Sequence, residues 1–145
     1  MAPRFFSKEW LEEVVKKANS DEAYLKKASK YTIKTWIVIT DCPDGNDVSI
    51  KFTYENGKVA NYVYETAPAP SEFRIGNSPW DESISLFRTQ ASYETWAKIQ
   101  RREVSVMASM NARLYVTEGE MAKILPYLGY ITAYADLQAT VPCEY

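Results

Sequence analysis

Residues 48–55 and the Asn56-Gly57 pair that follows them restrict the fold more than any other part of the sequence. Apolar residues alternate with Ser, Lys, Thr and Glu there, which is the pattern of a strand with one buried face and one face in water. Asn and Gly accept the positive φ angles of a type I′ turn, so a returning strand is predicted at residues 58–65. A β-branched and aromatic run at residues 33–40 completes a predicted three-stranded meander.

The N-terminal region, residues 1–31, is predicted to be helical. Ser7 is the expected N-cap of an amphipathic helix, because apolar residues recur at helical spacing from Trp10 onward. Asp21 precedes a second helical pattern that is predicted to continue to Lys30.

The second half of the chain begins with a segment rich in proline. Residues 66–82 contain three prolines and one glycine and are predicted to be a long crossover on the surface.

Thr117 and Glu120 match a capping box, and Pro126 is predicted to kink or end the helix that follows. The other predicted elements are a fourth strand at 83–90, a helix capped by Ser92, a helical piece through Met110, a fifth strand at 114–116 and a last helix at 131–138.

The composition excludes several kinds of chemistry. The 145 residues contain no histidine, so catalysis by a Ser-His-Asp or Cys-His arrangement within the chain is excluded. Cys42 and Cys143 form no Cys-x-x-Cys pair, and no metal site or cofactor is predicted. The net charge of -2 provides no general attraction for nucleic acid. The sequence lacks a long apolar segment, and a soluble, cytoplasmic protein is predicted.

Three aspartates stand close together after the first predicted strand. Asp41, Asp44 and Asp47 are spaced by three residues, whereas the ligands of a calcium-binding hand alternate as Asp-x-Asp-x-Asp. The sequence therefore predicts a solvated turn at this position rather than a cation site.

Two segments of the second half carry a resemblance to a known family. Ser92-Tyr93-Glu94-Thr95-Trp96 and the run from Met107 through Lys123 resemble the sterol carrier protein 2 (SCP-2) sterol-transfer family. The first resembles its Tyr-x-x-Trp helix start, and the second its Met-rich turn, short strand, glycine and Met-Ala-Lys. The order of elements agrees over most of the chain. Several features depart from the family pattern: Asn111 or Ala112 replaces the usual glycine, one residue is inserted before Gly119, the crossover is longer than expected, and the peroxisomal ending of some relatives is not found.

The resemblance implies an α+β fold, with a five-stranded, mostly antiparallel sheet, helices packed on one face, and an apolar tunnel between them. It also implies a stand-alone domain spanning residues 1–145 that binds or carries a lipid-like molecule (fatty acyl, isoprenoid or sterol-like) without catalysis. Large and adaptable apolar side chains are the expected wall of the tunnel. The expected ligand-binding residues are Trp36, Phe87, Trp96, Ile99, Met107, Met110, Met121, Ile124, Leu125 and Leu128.

Two other functions stay open at this point. One is a protein-interaction or accessory module without a lipid ligand, and the other is an enzyme using Asp, Glu or Tyr, for which no paired constellation is visible. Transient contact with a membrane and a homodimer are also open, whereas nucleic acid is not an expected partner. Release of a lipid requires a movable gate, which is expected either at residues 128–139 or in the crossover.

Overall fold

The structure is a computed structural model that describes residues 2–145; Met1, the first residue of the predicted N-terminal helical region, lies outside the described residues. Helices and strands alternate only in the second half of the chain, whereas the first half consists of two helices and then three strands. The elements in chain order are α1 (Lys8–Ala18), α2 (Glu22–Lys27), β1 (Lys34–Thr40), β2 (Asn46–Glu55), β3 (Lys58–Pro68), β4 (Arg88–Ser92), α3 (Tyr93–Gln100), α4 (Val106–Asn111), β5 (Tyr115–Glu118), α5 (Met121–Ile124), a 3-10 turn (Leu125–Tyr127) and α6 (Leu128–Ala139).

The five strands form one mixed sheet in the order β3-β2-β1-β4-β5. Strands β1, β2 and β3 pair antiparallel as the predicted meander, and β5 pairs antiparallel with β4. Strand β4 runs parallel to β1, because the chain leaves the β3 edge and crosses the sheet before β4 begins. The prediction of an α+β fold with a five-stranded, mostly antiparallel sheet is confirmed.

The hairpin between β2 and β3 is held by the N-terminal helical region as well as by its own turn. Asn56 and Gly57 have φ angles of 52° and 85°, as a type I′ turn requires. The Tyr24 hydroxyl donates to the Gly57 carbonyl at 3.0 Å, and the Gly57 N–H donates to the Tyr31 carbonyl at 2.9 Å. A Cβ at Gly57 would lie 2.7 Å from the carbonyl oxygen of Ala28, so this position requires glycine for space as well as for φ.

The main core lies between one face of the sheet and the helices. Ser7 caps α1 as predicted, because its hydroxyl accepts a hydrogen bond from the Trp10 N–H at 3.2 Å. Phe5 and Phe6 pack against the fully buried Trp10, with ring centroids 5.0 and 5.3 Å from it and steep interplanar angles. The sheet and α6 complete this core with Ile39, Val48, Ile50, Phe52, Tyr54, Tyr134 and Leu137.

The opposite face of the sheet is covered by the connection between β3 and β4, residues 69–87. Asp47 is fully buried, and its Oδ2 accepts hydrogen bonds from the Ser71 hydroxyl at 2.6 Å and from Arg74 Nε at 2.8 Å. Ser49, on the strand face predicted to be wet, is only 1% exposed. The prediction of a solvated turn is wrong for Asp47, and the prediction of a wet face is wrong for Ser49. The reason is that segments distant in sequence cover both residues.

The limits of this connection also differ from the prediction. Strand β3 continues to Pro68 and β4 begins only at Arg88, so the connection spans residues 69–87 rather than 66–82. Pro68 ends β3, and proline has no backbone N–H to donate. It is tolerated there because β3 is an edge strand, which has a neighbouring strand on one side only. The segment predicted as a strand at 83–90 is therefore mostly part of the connection.

The predicted capping box does not form. Thr117 lies within β5 opposite Thr89, and the N-cap of α5 is Glu120, which makes no side-chain capping bond. Glycine at 119, with φ 136°, turns the chain between strand and helix, so the helix begins later than the pattern predicted. Pro126 ends α5 as predicted, because it lies in the 3-10 turn before α6.

Helices α2 and α6 also differ in length from the prediction. Helix α2 ends at Lys27 rather than Lys30, and the next three residues form a turn that precedes β1. Helix α6 is longer than the predicted 131–138 and starts directly after the 3-10 turn. Its length brings it across the helix-covered face of the sheet, where it contacts α1 and α2.

Candidate functional site

An apolar cavity of about 150 Å³ lies between the helix-covered face of the sheet and helices α3 and α6. Strands β1, β2, β4 and β5 form one wall, and α6 forms the opposite wall. Eight of the lining side chains are aromatic rings. The lining residues are Phe6, Tyr31, Thr35, Ile37, Phe52, Tyr54, Phe87, Thr89, Trp96, Ile99, Gln100, Arg102, Val106, Tyr115, Ile131, Tyr134, Ala135, Gln138 and Ala139.

Helix α6 presents one face to this cavity. Its lining residues are Ile131, Tyr134, Ala135, Gln138 and Ala139, whose spacings from the first are three, four, seven and eight residues. Such spacings place side chains on one side of an α-helix. Ala135 is exposed although it lines the cavity, so its small side chain leaves a gap to the outside. Arg102 and Val106 also line the cavity and are exposed, so we take the end of the cavity beside these three residues as its mouth.

Polar groups surround the mouth. Arg102, in the loop after α3, donates a hydrogen bond to Asp136 Oδ1 on α6 at 2.7 Å, and Gln100 Nε2 donates to the Gln138 carbonyl at 3.2 Å. The side chains of Arg102 and Asp136 are 62% and 59% exposed, so this end of the cavity faces water. These contacts connect α6 to the end of α3 across the mouth.

The interior of the cavity carries no side chain suited to acid or base catalysis at neutral pH among the residues that the structure describes. Burial raises the pKa values of Tyr31, Tyr54 and Tyr134 well above the usual value for a phenol, so these hydroxyls stay protonated. Among the lining residues of the described chain, Arg102 at the mouth is the one that carries a charge. The cavity is therefore suited to hold an apolar molecule.

Three of the ten predicted ligand-binding residues line this cavity. Phe87 precedes β4, and Trp96 and Ile99 lie on α3. The Trp96 indole N–H donates to the Val38 carbonyl at 3.3 Å, and its ring meets that of Tyr115 edge-on at 5.2 Å. Trp96 is thus fixed on one side by β1 and on the other by β5.

Trp36 lies on the other side of the sheet. It is 4% exposed, and its ring contacts the cations of Lys51 and Arg88 at 4.4 and 4.6 Å from the centroid. Residues on either side of it in β1 line the cavity, and the alternation of side chains along a strand directs Trp36 the opposite way. Its environment is the layer beneath the 69–87 connection.

The other six predicted residues do not line this cavity. Ile124 is buried next to Gly119, and Met110 is half-buried. Helix α4 contacts the edge strand β5 and contributes its first residue, Val106, to the cavity lining, whereas none of the α5 residues lines the cavity. The four that are exposed are Met107, Met121, Leu125 and Leu128.

Several cavity residues were absent from the predicted set. Phe52 and Tyr54 follow the alternation of β2, which placed them on the buried face but could not distinguish a cavity wall from a filled core. Tyr134 lies three residues after Ile131 in the predicted last helix, and this spacing was the signal that could have identified it. Phe6 and Tyr31 lie in the segments on either side of the N-terminal helices, where sequence periodicity carries no signal.

Comparisons with known proteins agree with this architecture. No family model matches the chain, and no curated protein matches it. A crystal structure of sterol carrier protein 2 has a TM-score of 0.71 and 16% identity, and the match covers 96% of this chain and all of that one. The chain has the SCP-2 fold. A Thermus thermophilus structure, described as a conserved hypothetical protein and a candidate sterol carrier protein, has a TM-score of 0.70 and 16% identity over 97% of this chain and 92% of that one.

A more distant SCP-2 structure has the same fold. The apo form of sterol carrier protein 2 from Yarrowia lipolytica has a TM-score of 0.52 and 9% identity, with 87% of this chain and 90% of that chain covered. The resemblance read from the sequence is thus confirmed at the level of the fold. Across residues 2–145, none of the helices has the length and hydropathy needed to cross a membrane.

Proposed function

We propose that the chain is a noncatalytic carrier that takes a lipid-like, apolar molecule into the cavity between α6 and the sheet. The observation that carries the proposal is the aromatic-lined cavity, with its mouth beside Ala135. Removal of apolar surface from water supplies the binding free energy, at about 25 cal/mol per Å². Structures named sterol carrier protein have the same fold, which supports this function, and the proposed unit is the chain as a whole.

The size of the cavity limits what the described conformation admits. An engineered apolar cavity of about 150 Å³ in another protein binds benzene, so one ring or a short acyl segment fits here. A longer ligand extends through the mouth or requires α6 to move. We place the gate in α6 rather than in the crossover, because residues 69–87 cover the other face of the sheet and are fixed by Asp47.

Exposed apolar side chains in the second half of the chain support transient contact with a membrane. Met107, Leu114 and Leu125 are 67%, 58% and 54% exposed, and they lie in and next to the short helices near the β5 edge. Val106, immediately before Met107, lines the cavity and is itself 40% exposed. A ligand can then pass between bilayer and cavity with little contact with water. The cytoplasmic location and the homodimer stay predictions.

Native mass spectrometry of the freshly purified chain tests the proposed function. We expect a population heavier than the polypeptide by the mass of a small molecule, and we expect the delipidated chain to take up a fluorescent fatty acid. Sedimentation with and without lipid, together with a pull-down, provides the comparison with the alternative function. A stable complex with another protein, and no lipid uptake, would favour the protein-interaction module instead.

A further inference from the structure

Strand β5 forms one edge of the sheet and pairs only with β4 among the described residues. The Leu114 N–H, directly before the strand, donates to the Ser109 carbonyl at 2.8 Å. Beyond this residue, no hydrogen bond from the described chain reaches the backbone groups of β5 that point away from β4. The side chains of Leu114 and Val116 are 58% and 42% exposed. An exposed apolar edge of this kind is a template for pairing with another strand.

The opposite edge of the sheet, β3, is protected against such pairing. The side-chain amide of Asn19 donates to the Val59 carbonyl at 3.2 Å and accepts from the Val59 N–H at 2.8 Å. A shift in the register with β2 leaves Ala60 as a bulge, and Pro68 ends the strand. Bulges, prolines and covering groups are devices by which natural edges avoid pairing. Strand β5 is short, but its four residues include no proline or lysine, and its register with β4 is unbroken.

The charges at the two ends of β5 favour a second copy of the chain as the partner. Arg113, before the strand, is exposed and takes part in no ion pair of the described chain. Glu120, after the strand, has a side chain that is 66% exposed and contacts Lys123 only at 3.8 Å. In an antiparallel pair, the start of one strand lies beside the end of the other. A strand with a cation before it and an anion after it is therefore complementary to itself across a two-fold axis.

We propose that two copies of this chain pair their β5 strands antiparallel about a two-fold axis at Val116, so that the two sheets join edge to edge. Arg113 of each copy then lies near Glu120 of the other, because the first is three residues before Val116 and the second is four residues after it. A four-residue strand provides a small interface, so the pairing is reversible rather than permanent. The inference goes beyond the proposed carrier function and does not require it. Pairing covers Leu114, so the dimer and the membrane-bound chain are alternative states.

Sedimentation velocity of the delipidated chain tests the pairing. We expect the mass to rise from 16.6 kDa toward twice that value as the concentration increases from about 10 μM to about 1 mM, the range of weak and transient interfaces. Val116→Lys is expected to weaken the dimer at least about tenfold, because two lysines would meet at the axis. Val63→Lys is the matched control: Val63 is 43% exposed on the protected β3 edge, and its substitution should leave the dimer unchanged.

A charge reversal tests the antiparallel arrangement separately. Arg113→Glu and Glu120→Arg are each expected to weaken the dimer by about three- to tenfold, because each places like charges together at two symmetric positions. The variant with both substitutions restores the two ion pairs, and its Kd should return to within about twofold of the original value. Both side chains are exposed, so thermal unfolding should show folded protein in every case. These variants decide the question even if Val116→Lys does not fold.

Several outcomes would contradict the pairing. A chain that stays monomeric at about 1 mM overturns it. A dimer that Val116→Lys and Val63→Lys weaken equally, or that the double charge reversal fails to restore, forms through another surface. If the chain is monomeric and Val116→Lys instead weakens its binding to vesicles of phosphatidylcholine and phosphatidylserine, the β5 edge is a membrane surface and the proposed dimer is wrong. Uptake of a fluorescent fatty acid tests the carrier function independently, so either proposal can fail alone.

Discussion

At the scale of single residues, we expect access to the cavity to depend on the small side chain of Ala135. It lies on the cavity face of α6 but is exposed, whereas its neighbour Tyr134 is buried in the core. A larger side chain at Ala135 would extend across the gap between α6 and the loop that carries Arg102. The residue is therefore the simplest place to close the mouth without disturbing the core.

Ala135→Trp is expected to reduce uptake of a fluorescent fatty acid by at least about tenfold, equivalent to roughly 1.4 kcal/mol of binding free energy. Alanine and tryptophan differ in helix propensity by only about 0.5 kcal/mol, so the thermal midpoint should change little. Gly129→Trp is the control, because Gly129 does not line the cavity and a Cβ added there would meet no atom within 4 Å; it should bind as the unmodified chain does. Equal uptake by both variants would mean that the ligand does not pass Ala135.

At the scale of secondary-structure elements, two contacts fix the meander against its surroundings. The β2-β3 turn contacts α2 and the segment after it through Gly57. The start of β2 holds the crossover, residues 69–87, through hydrogen bonds to Asp47. Both contacts join segments that are separated in sequence by a strand or a long loop. Each can be tested by a substitution for which the chain offers a close control.

Gly57→Ala is expected to lower the free energy of unfolding by more than about 2 kcal/mol, because the new Cβ would collide with backbone in addition to the strain of positive φ. Gly45→Ala is the control: Gly45 has φ 84°, but a Cβ added there would meet no atom within 4 Å, so only the strain of about 1 kcal/mol applies. Urea denaturation of both variants measures the difference. Similar losses in the two would show that the contact with Ala28 is unimportant.

Asp47→Asn is expected to lower the free energy of unfolding by about 3 kcal/mol at neutral pH, because Arg74 loses its buried partner. Asp44→Asn, at an exposed aspartate in the same turn, should change it by less than about 0.5 kcal/mol. Chemical denaturation at pH 7 compares the two variants. A similar small effect in both would mean that the crossover does not depend on this carboxylate.

The same carboxylate predicts how stability changes in acid. Burial opposes ionisation of Asp47, but hydrogen bonds from Arg74, Ser71 and backbone N–H groups outweigh it and hold its pKa below the ordinary 3.8. The unfolded chain therefore binds the proton first, so this contribution is complete above about pH 5 and declines as pH falls through 3.8 toward the lower folded value. Denaturation measured from pH 6 to pH 3 should show a weaker pH dependence in Asp47→Asn than in the unmodified chain.

At the scale of the whole molecule, the two faces of the sheet serve different purposes. One face carries the crossover, fixed by the ion pair between the buried Asp47 and Arg74 and by hydrogen bonds that the buried Arg88 donates to Ser78. The other face carries α6, which near the mouth is connected to α3 and its following loop by exposed polar contacts. Exposed ion pairs contribute little to stability, so the contacts of α6 near the mouth can break at small cost, whereas Tyr134 and Leu137 keep the helix in the core.

Arg102→Gln is expected to accelerate ligand release by about two- to fivefold, because one of the contacts that holds α6 over the cavity is lost. Arg101→Gln is the control, since Arg101 pairs with Glu103 within the same loop and not with α6. Stopped-flow displacement of a bound fluorescent fatty acid measures the rates. Faster release in both variants would indicate a general effect of charge, and no change in either would place the gate elsewhere.

The sequence alone predicted the local structure where neighbouring residues decide it. The alternation of β2, the Asn56-Gly57 turn, the Ser7 and Ser92 caps and the break at Pro126 are all present in the structure. Each of these depends on φ preferences, capping hydrogen bonds or side-chain alternation within a few residues. The order of the elements, together with the motifs at residues 92–96 and 107–123, also suggested the SCP-2 fold that the structural comparisons support.

Only the tertiary structure decided which apolar residues enclose empty space. Met121 and Leu125 have the helical spacing of a core face but are exposed, whereas Tyr134 and Phe52 line the cavity. A hydrophobic pattern records which side of an element avoids water, and it contains no information on whether the opposing side chains fill the volume between two layers. That volume depends on where α6 lies over the sheet, which long-range packing determines.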